Sequence, residues 1–297
     1  MTLAELRRRL EAECRNARAR LPEGELSGAE ADSILTARFG LDLTGLLMHG
    51  DAPVNAADIA ACETQLRRVI GGEPLQYVTG RAPFMGRYFT VNRAVLIPRL
   101  DTETLYAEAE KRVKLLKAAH GSGRTLRVLD MCTGSGIIAV TLKAEHPELD
   151  VIAADISGEA LAVAAENAKL NGAADITFIE SDLFERVPLN NDRDRFDLIV
   201  SNPPYVSAEE LTGLPRAVVD FEPEIALYGG VDGLEFYRRI VGAAERYLAP
   251  GGWLCFETGD TQTEEVGALL AAAGFTEITV TKDLAERDRV VCGVRKG

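Results

Sequence analysis

Val128-Leu129-Asp130-Met131-Cys132-Thr133-Gly134-Ser135-Gly136 is the stretch on which the fold turns. An apolar run closes on an acid, two glycines follow, and a helix starts from Ile137: strand, turn and helix in one segment. That arrangement lets a ligand approach the backbone at the carboxyl end of a strand. Gly134 and Gly136 carry no Cβ to keep it away. Working outward, Leu126-Arg127-Val128-Leu129-Asp130, Val151-Ile152-Ala153-Ala154-Asp155, Ile176-Thr177-Phe178-Ile179 and Asp197-Leu198-Ile199-Val200-Ser201 are short apolar runs of the kind that parallel strands need when both faces are covered. Helical stretches lie between and beyond them, such as 158–170 and 237–247. The second leads through Pro250-Gly251-Gly252 into the strand Trp253-Leu254-Cys255-Phe256-Glu257. Strands alternating with helices predict an α/β fold with a mostly parallel, doubly wound sheet.

The acids at the strand ends narrow the ligand. Asp155 closes the second strand, where a carboxylate can accept from a ribose diol, and Asp182 follows the third, within reach of an adenine amine. Gly134, Gly136 and Ala139 also fit the glycine fingerprint of NAD sites, so the glycines alone do not choose between cofactors. Asp130 does. An acid just before the turn suits the cationic amino acid end of S-adenosyl-L-methionine and would repel a pyrophosphate. After the fourth strand comes Asn202-Pro203-Pro204-Tyr205, which could be no more than a stiff turn. At the ligand edge of such a sheet, though, its groups suit an amide or amino NH2. The Asn202 side-chain carbonyl and the Pro203 backbone carbonyl can accept its two hydrogens, and the Tyr205 ring can stack on a planar group.

Before the sheet the chain reads differently. Leu3, Leu6, Leu10, Cys14, Ala17 and Leu21 recur at helical steps, and Pro22 and Gly24 break the run. Ser27 with Glu30 is a capping-box signature for a helix running to Phe39-Gly40. Asn55 opens another, closed by Gly71-Gly72. Gln76-Tyr77-Val78-Thr79 and Tyr88-Phe89-Thr90-Val91 are β-rich, parted by Gly80, Pro83 and Gly86, and predict a hairpin. The expected plan is a helical domain over 1–73, a hairpin linker over 74–98 and the α/β domain over 99–297.

Composition bounds the function. The chain has 297 residues and a formal charge of -13, which argues against a broad basic face for nucleic-acid phosphates. Six arginines against three glutamates make the first twenty residues basic, a pattern that a solvated helix face explains. No apolar run approaches the roughly 18 residues of a membrane span. The charged start Met1-Thr2-Leu3-Ala4-Glu5-Leu6-Arg7-Arg8-Arg9 lacks the centre of a signal peptide, so a cytoplasmic protein is expected. The five cysteines form no Cys-x-x-Cys pair, and His49, His120 and His146 share no helical spacing, so no metal site is expected. Cys132 has no histidine nearby and reads as a packing residue rather than a nucleophile.

Taken together, these motifs resemble the protein-(glutamine-N5) methyltransferases that modify bacterial peptide chain release factors. The resemblance spans nearly the whole chain. It rests on Gly72-Glu73-Pro74-Leu75-Gln76-Tyr77-Val78-Thr79-Gly80, Leu96-Ile97-Pro98-Arg99-Leu100-Asp101-Thr102-Glu103, the 130–136 loop and the 202–205 tetrapeptide. Asp220-Phe221-Glu222-Pro223, Asp232-Gly233-Leu234 and Asp288-Arg289-Val290-Val291 continue it. The resemblance implies a Rossmann-like class I methyltransferase domain behind a small all-helical domain that helps receive the release factor. It places the S-adenosylmethionine loop on Cys132, Thr133, Gly134, Ser135 and Gly136, the ribose acid on Asp155 and the adenine flank on Leu183. Asn202, Pro203, Pro204 and Tyr205 would hold the substrate glutamine, with Asn202 also near the cofactor, and S-adenosyl-L-homocysteine would be the product. The chain departs from the pattern at Leu100, where a second proline is usual, and at Leu183, sometimes aromatic. It departs also at Cys132, in place of the first glycine of the broader loop, and at Glu286, where glycine is common in an expected surface turn. An amino methyltransferase acting on nucleic acid shares the tetrapeptide, but the negative charge disfavours it. An NAD-dependent oxidoreductase lacks an evident hydride-transfer acid, and a binding module without activity would not need the intact tetrapeptide.

Overall fold

The structure is a computed structural model and describes residues 1–19, 26–120 and 124–296. It divides into two compact units, Met1–Arg81 with Pro215–Phe221, and Ala82–Leu214 with Glu222–Gly297. No helix among the described residues is long and apolar enough to cross a membrane.

The first unit is built from helices whose ends obey local rules. Helix α1 (Leu3–Arg18) opens with a capping box: Thr2 Oγ1 accepts from Glu5 N–H and the Glu5 carboxylate accepts from Thr2 N–H. Leu3, Leu6, Leu10 and Cys14 are buried along one face. They meet Ile34 and Leu35 of α2 (Glu30–Phe39), and Cys62, Leu66 and Val69 of α4 (Ala56–Ile70), in one apolar core. Each buried leucine contributes about 1.5–3 kcal/mol. Asp42 caps a short helix, α3 (Leu43–Met48), which the sequence reading did not separate, and Asn55 caps α4 as its spacing suggested. Two expectations need correction. Ser27 is not the cap of α2, which starts three residues later; its hydroxyl and N–H, with Gly28 N–H, instead donate to the Glu30 carboxylate. Gln76–Thr79 is helical, not a strand. Pro74 fixes the entry to α5 (Leu75–Thr79) and its carbonyl takes the Tyr77 and Val78 N–H groups, while Gly80 at φ 72 ends the turn. The β-preference of Tyr77 and Val78 gives way because both are buried in that turn. Leu21, Pro22 and Gly24 lie outside the described residues.

The hairpin's first strand, β1 (Arg81–Phe84), starts five residues later than expected, while its second, β2 (Arg87–Thr90), lies within one residue of the expected run. Met85 and Gly86, both at positive φ, make its two-residue turn. Helix α6 (Thr102–His120) leads into the sheet, where β3 (Arg127–Met131), α7 (Ile137–Glu145), β4 (Asp150–Asp155), α8 (Gly158–Leu170), β5 (Thr177–Glu180) and β6 (Phe196–Ser201) alternate. Two one-turn helices follow, α9 (Ala208–Leu211) and α10 (Arg216–Val219), then α11 (Glu235–Tyr247) and β7 (Leu248–Glu257). The sequence reading stopped there; α12 (Thr263–Ala272), β8 (Thr276–Lys282) and β9 (Asp288–Val294) complete the unit. Strand order is β5-β4-β3-β6-β7-β9-β8, with β3 to β7 parallel and β9 antiparallel to both its neighbours. Alternate residues feed two apolar layers. Val128, Val151 and Leu198 enter one, Leu129, Ile152 and Ile199 the other, which is why these strands read as continuous apolar runs. The chain leaves β3 toward β4 on one side and returns as β6 on the other. That reversal opens a crevice at the carboxyl ends of β3 and β6.

Candidate active site

Register fixes what meets at the crevice. Met131 pairs with Ala154 on one side and Ser201 on the other, so the residues after each of these strands emerge side by side. The Ser201 hydroxyl donates to the Met131 carbonyl at 2.8 Å and stitches the two strand ends together. Asp130 is 2% exposed. Its Oδ2 accepts from the Thr133 hydroxyl at 2.6 Å and from Ala139 N–H at 3.1 Å, so the carboxyl ties the turn to the first helical residues behind it. Burial pushes that carboxyl up to about 7. Asp155 holds the same turn from β4: Oδ2 accepts from Gly134 N–H and Oδ1 from Ser157 N–H, both at 2.9 Å. Burial raises its pKa too.

Two of the expected cofactor residues carry backbone strain. Cys132 lies at φ 61 and Leu183 at φ 47, in the left-handed region that favours glycine. Glycine would adopt this backbone at no steric cost. Burial drives the Cys132 thiol above its ordinary range, in keeping with a packing role. Asp182, read as an adenine partner, is bound by Arg239 of α11 at 2.7 Å. Gly136 supports the site from outside: at φ 80, a Cβ there would come within 3.0 Å of the Ala164 Cβ on α8.

The tetrapeptide is braced from behind. Asn202 Nδ2 donates to the Thr102 hydroxyl oxygen at 3.4 Å. The Tyr205 carbonyl accepts from Gln262 Nε2 at 3.0 Å, and Val206 exchanges backbone bonds with Leu227 and Gly229. A Cβ on Gly229 would lie 2.6 Å from the Tyr205 Cα, and one on Gly233 would strike the Tyr205 carbonyl oxygen. These two glycines let a neighbouring loop press against the tetrapeptide backbone.

One cleft of the second unit collects most of the expected residues: Asp130, the loop 132–135, Asp155, Asp182, Leu183, Asn202 and Pro204 all line it. Gly136, Pro203 and Tyr205 do not. Pro203 is buried and Tyr205 packs on the apolar layer beneath, where burial raises its phenol pKa. The cleft also takes Arg99, Thr102, Ile225, Phe236 and Arg239, which sequence reasoning assigned no role. Thr102 and Arg99 were visible only as parts of a quoted motif. The structure shows why that motif stays together: Glu222, of Phe-Glu-Pro, accepts from Ile97 N–H at 3.2 Å and pairs with Arg99. Arg289 likewise reaches Asp283, Asp101 and the Thr258 carbonyl. Glu257, at the end of β7, was passed over as a strand residue. It is 1% exposed, and burial pushes its carboxyl up to about 7. Glu286, where glycine is common, sits at φ 61 in the β8–β9 turn.

Comparison with known proteins identifies the arrangement. The family model described as methyltransferase small domain matches residues 112–217, and the one described as PrmC N-terminal domain matches 14–80. A release factor glutamine methyltransferase of Geobacter sulfurreducens is 44% identical over 264 residues, 89% of this chain and 88% of the relative. One from Cereibacter sphaeroides is 40% identical over 263 residues, 88% of this chain and 89% of its own length. Among solved structures, the hMettl16 catalytic domain in complex with the MAT2A 3'UTR hairpin 6 aligns with a TM-score of 0.53 at 17% identity, covering 82% of each chain, a likeness of fold alone. With its cleft at the β3–β6 reversal and relatives matched over most of its length, the chain belongs to the release factor glutamine methyltransferase family.

Proposed function

We propose that the protein transfers a methyl group from S-adenosylmethionine to the side-chain N5 of a glutamine in a peptide chain release factor, in the cytoplasm where those factors work. The observation that carries this reading is the shared cleft, in which Asn202 and Pro204 face the same space as the 132–135 loop and the three strand-end acids. Those residues fit the cofactor. Asp130 is a buried acid for a cationic amino acid end, Asp155 meets a ribose, and Asp182 with Leu183 flanks an adenine. Bound there, S-adenosylmethionine supplies an electrophilic methyl on a sulfonium.

The rest is done by the chain. An amide nitrogen is a poor nucleophile because its lone pair is delocalised into the carbonyl. The Asn202 side-chain carbonyl, on the cleft wall, would accept one of its N–H bonds, aim the nitrogen and favour its pyramidalisation, with the Pro203 backbone carbonyl just behind the lining as the second acceptor. Orientation, and dipoles placed where positive charge grows, lower the barrier. No strong base is required, since the N–H proton becomes acidic as the methyl arrives. None of the described residues of the helical first unit lines this cleft, and that unit would serve to receive the protein substrate. The test is a mass spectrum of purified release factor after incubation with enzyme and S-adenosylmethionine. One methyl on one glutamine is expected; an unmodified factor overturns the reading.

A further inference from the structure

Ser201 pairs with Phe256, so Asn202 and Glu257 leave adjacent strands next to each other. The Tyr237 hydroxyl donates to the Glu257 carbonyl at 2.9 Å and fixes the backbone there. Glu257 Oε2 is buried and closes no hydrogen bond among the described residues, and no ion pair within them reaches this carboxyl. The nearest guanidinium, on Arg289, is committed to Asp283, Asp101 and the Thr258 carbonyl. What faces the carboxyl instead are the Thr102 hydroxyl and the Asn202 side chain. Thr102 is itself 2% exposed.

We propose that Glu257 is a positioning residue that sets, directly and through Thr102, which end of the Asn202 amide faces the substrate. The argument is one of hydrogen-bond polarity, and it rests on the reading of Asn202 given above. Above about pH 7, where Glu257 is ionised, its carboxylate only accepts, so the single hydroxyl proton of Thr102 turns toward it. The Thr102 oxygen then has only lone pairs left for Asn202, so it takes the Nδ2 end, the contact observed at 3.4 Å. Nδ2 is thereby held away, and Oδ1 is the end that remains to accept from a substrate N–H. Without the carboxylate, the Thr102 proton is free to bond Oδ1, and the amide can turn its donor end to a substrate that also only donates. The relay also gives Thr102, otherwise a bystander in a quoted motif, a task in the reaction.

The test is single-turnover methylation of release factor by the full-length enzyme, with affinity for S-adenosylhomocysteine and the melting temperature measured on each variant. Glu257→Gln keeps the shape and removes the forced polarity. It should lower the rate at least fivefold, with cofactor affinity and melting temperature unchanged. Thr102→Val should lower it at least tenfold, and Thr102→Ser should stay within about twofold of the parent. Because both act on one amide, the loss in the double variant Thr102→Val/Glu257→Gln should fall well short of the product of the two single losses. A normal rate in Glu257→Gln, or losses that multiply in the double variant, overturns the relay. If Asn202→Ala is inactive while Glu257→Gln is normal, the relay alone fails. A normal rate in Asn202→Ala removes the reading on which it rests.

Discussion

The helical unit and the carboxyl edge of the sheet follow opposite rules. In the first, helices α1, α3 and α4 carry side-chain caps, charges pair at the surface, the interior is apolar, and the buried Glu30 is satisfied by Ser27 and Gly28. At the second, Asp130 and Glu257 are buried, with their carboxyls raised to about 7. Cys132 and Leu183 there hold left-handed backbone without being glycine. Local rules kept everywhere make a scaffold. Breaches gathered at one sheet edge, with the surrounding structure holding them open, mark a place built for a ligand.

The comparison can be broken at either end, and the largest effect is expected in the scaffold. Leu10→Ala in the helical core should cost about 2–5 kcal/mol of stability in a denaturant titration and leave affinity for S-adenosylhomocysteine unchanged. A matching loss of affinity would mean that the helical unit shapes the cofactor site. Asn202→Ala should show the reverse: about a hundredfold lower single-turnover rate, roughly 2.7 kcal/mol, with the melting temperature held. Asp155→Ala should weaken S-adenosylhomocysteine binding by about tenfold to a hundredfold, from the loss of roughly 1.5–3 kcal/mol of bonding to a charged group. Since Asp155 also holds Gly134 N–H and Ser157 N–H, the melting temperature should fall with it, unlike in Asn202→Ala.

Acid–base linkage sharpens the contrast further. A carboxyl raised by burial favours the folded state below its unfolded pKa, and that contribution is lost as pH rises through the folded value, about 7 for Asp130. A cationic ligand lowers the pKa again, so binding near pH 7 should release about half a proton. Calorimetry in buffers of different ionisation enthalpy measures this, and Asp130→Asn should abolish it. The smallest effect belongs to the surface. Arg7 holds Asp32 through two bonds at 2.6 and 2.8 Å, but both side chains stay partly exposed, so Arg7→Ala should cost about 1 kcal/mol or less.

How much could be read from the chain follows the same division. Strands β3, β4 and β6 were plain in the sequence because both their faces are buried and their apolar runs are unbroken. β8 was not: it edges the sheet with most side chains exposed, and Thr276-Glu277-Ile278-Thr279 carries no apolar run to find. α5 was read as strand because Tyr77 and Val78 favour extended backbone when isolated, and only the turn set by Pro74 overrides them. The strand-end acids and the tetrapeptide were legible because each closes or directly follows an apolar run that marks its strand. Thr102 and Glu257 were not, because they reach the cleft region from 100 residues before Asn202 and from the far end of another strand. Arg239 gave no signal at all, standing on a helix among other charged residues.

Gly229 and Gly233 carry a consequence for anyone wishing to give the enzyme a different amide to modify. Both positions are closed to every other residue, since even alanine would meet the backbone of Tyr205. A library that randomises the loop packed behind the tetrapeptide would therefore collapse to its parent at these two sites, whatever substrate drove the selection. Ile225 is the opposite case, lining the cleft with over half its surface in solvent. New specificity has to be written there, on the open wall, while the wall behind the tetrapeptide stays as it is.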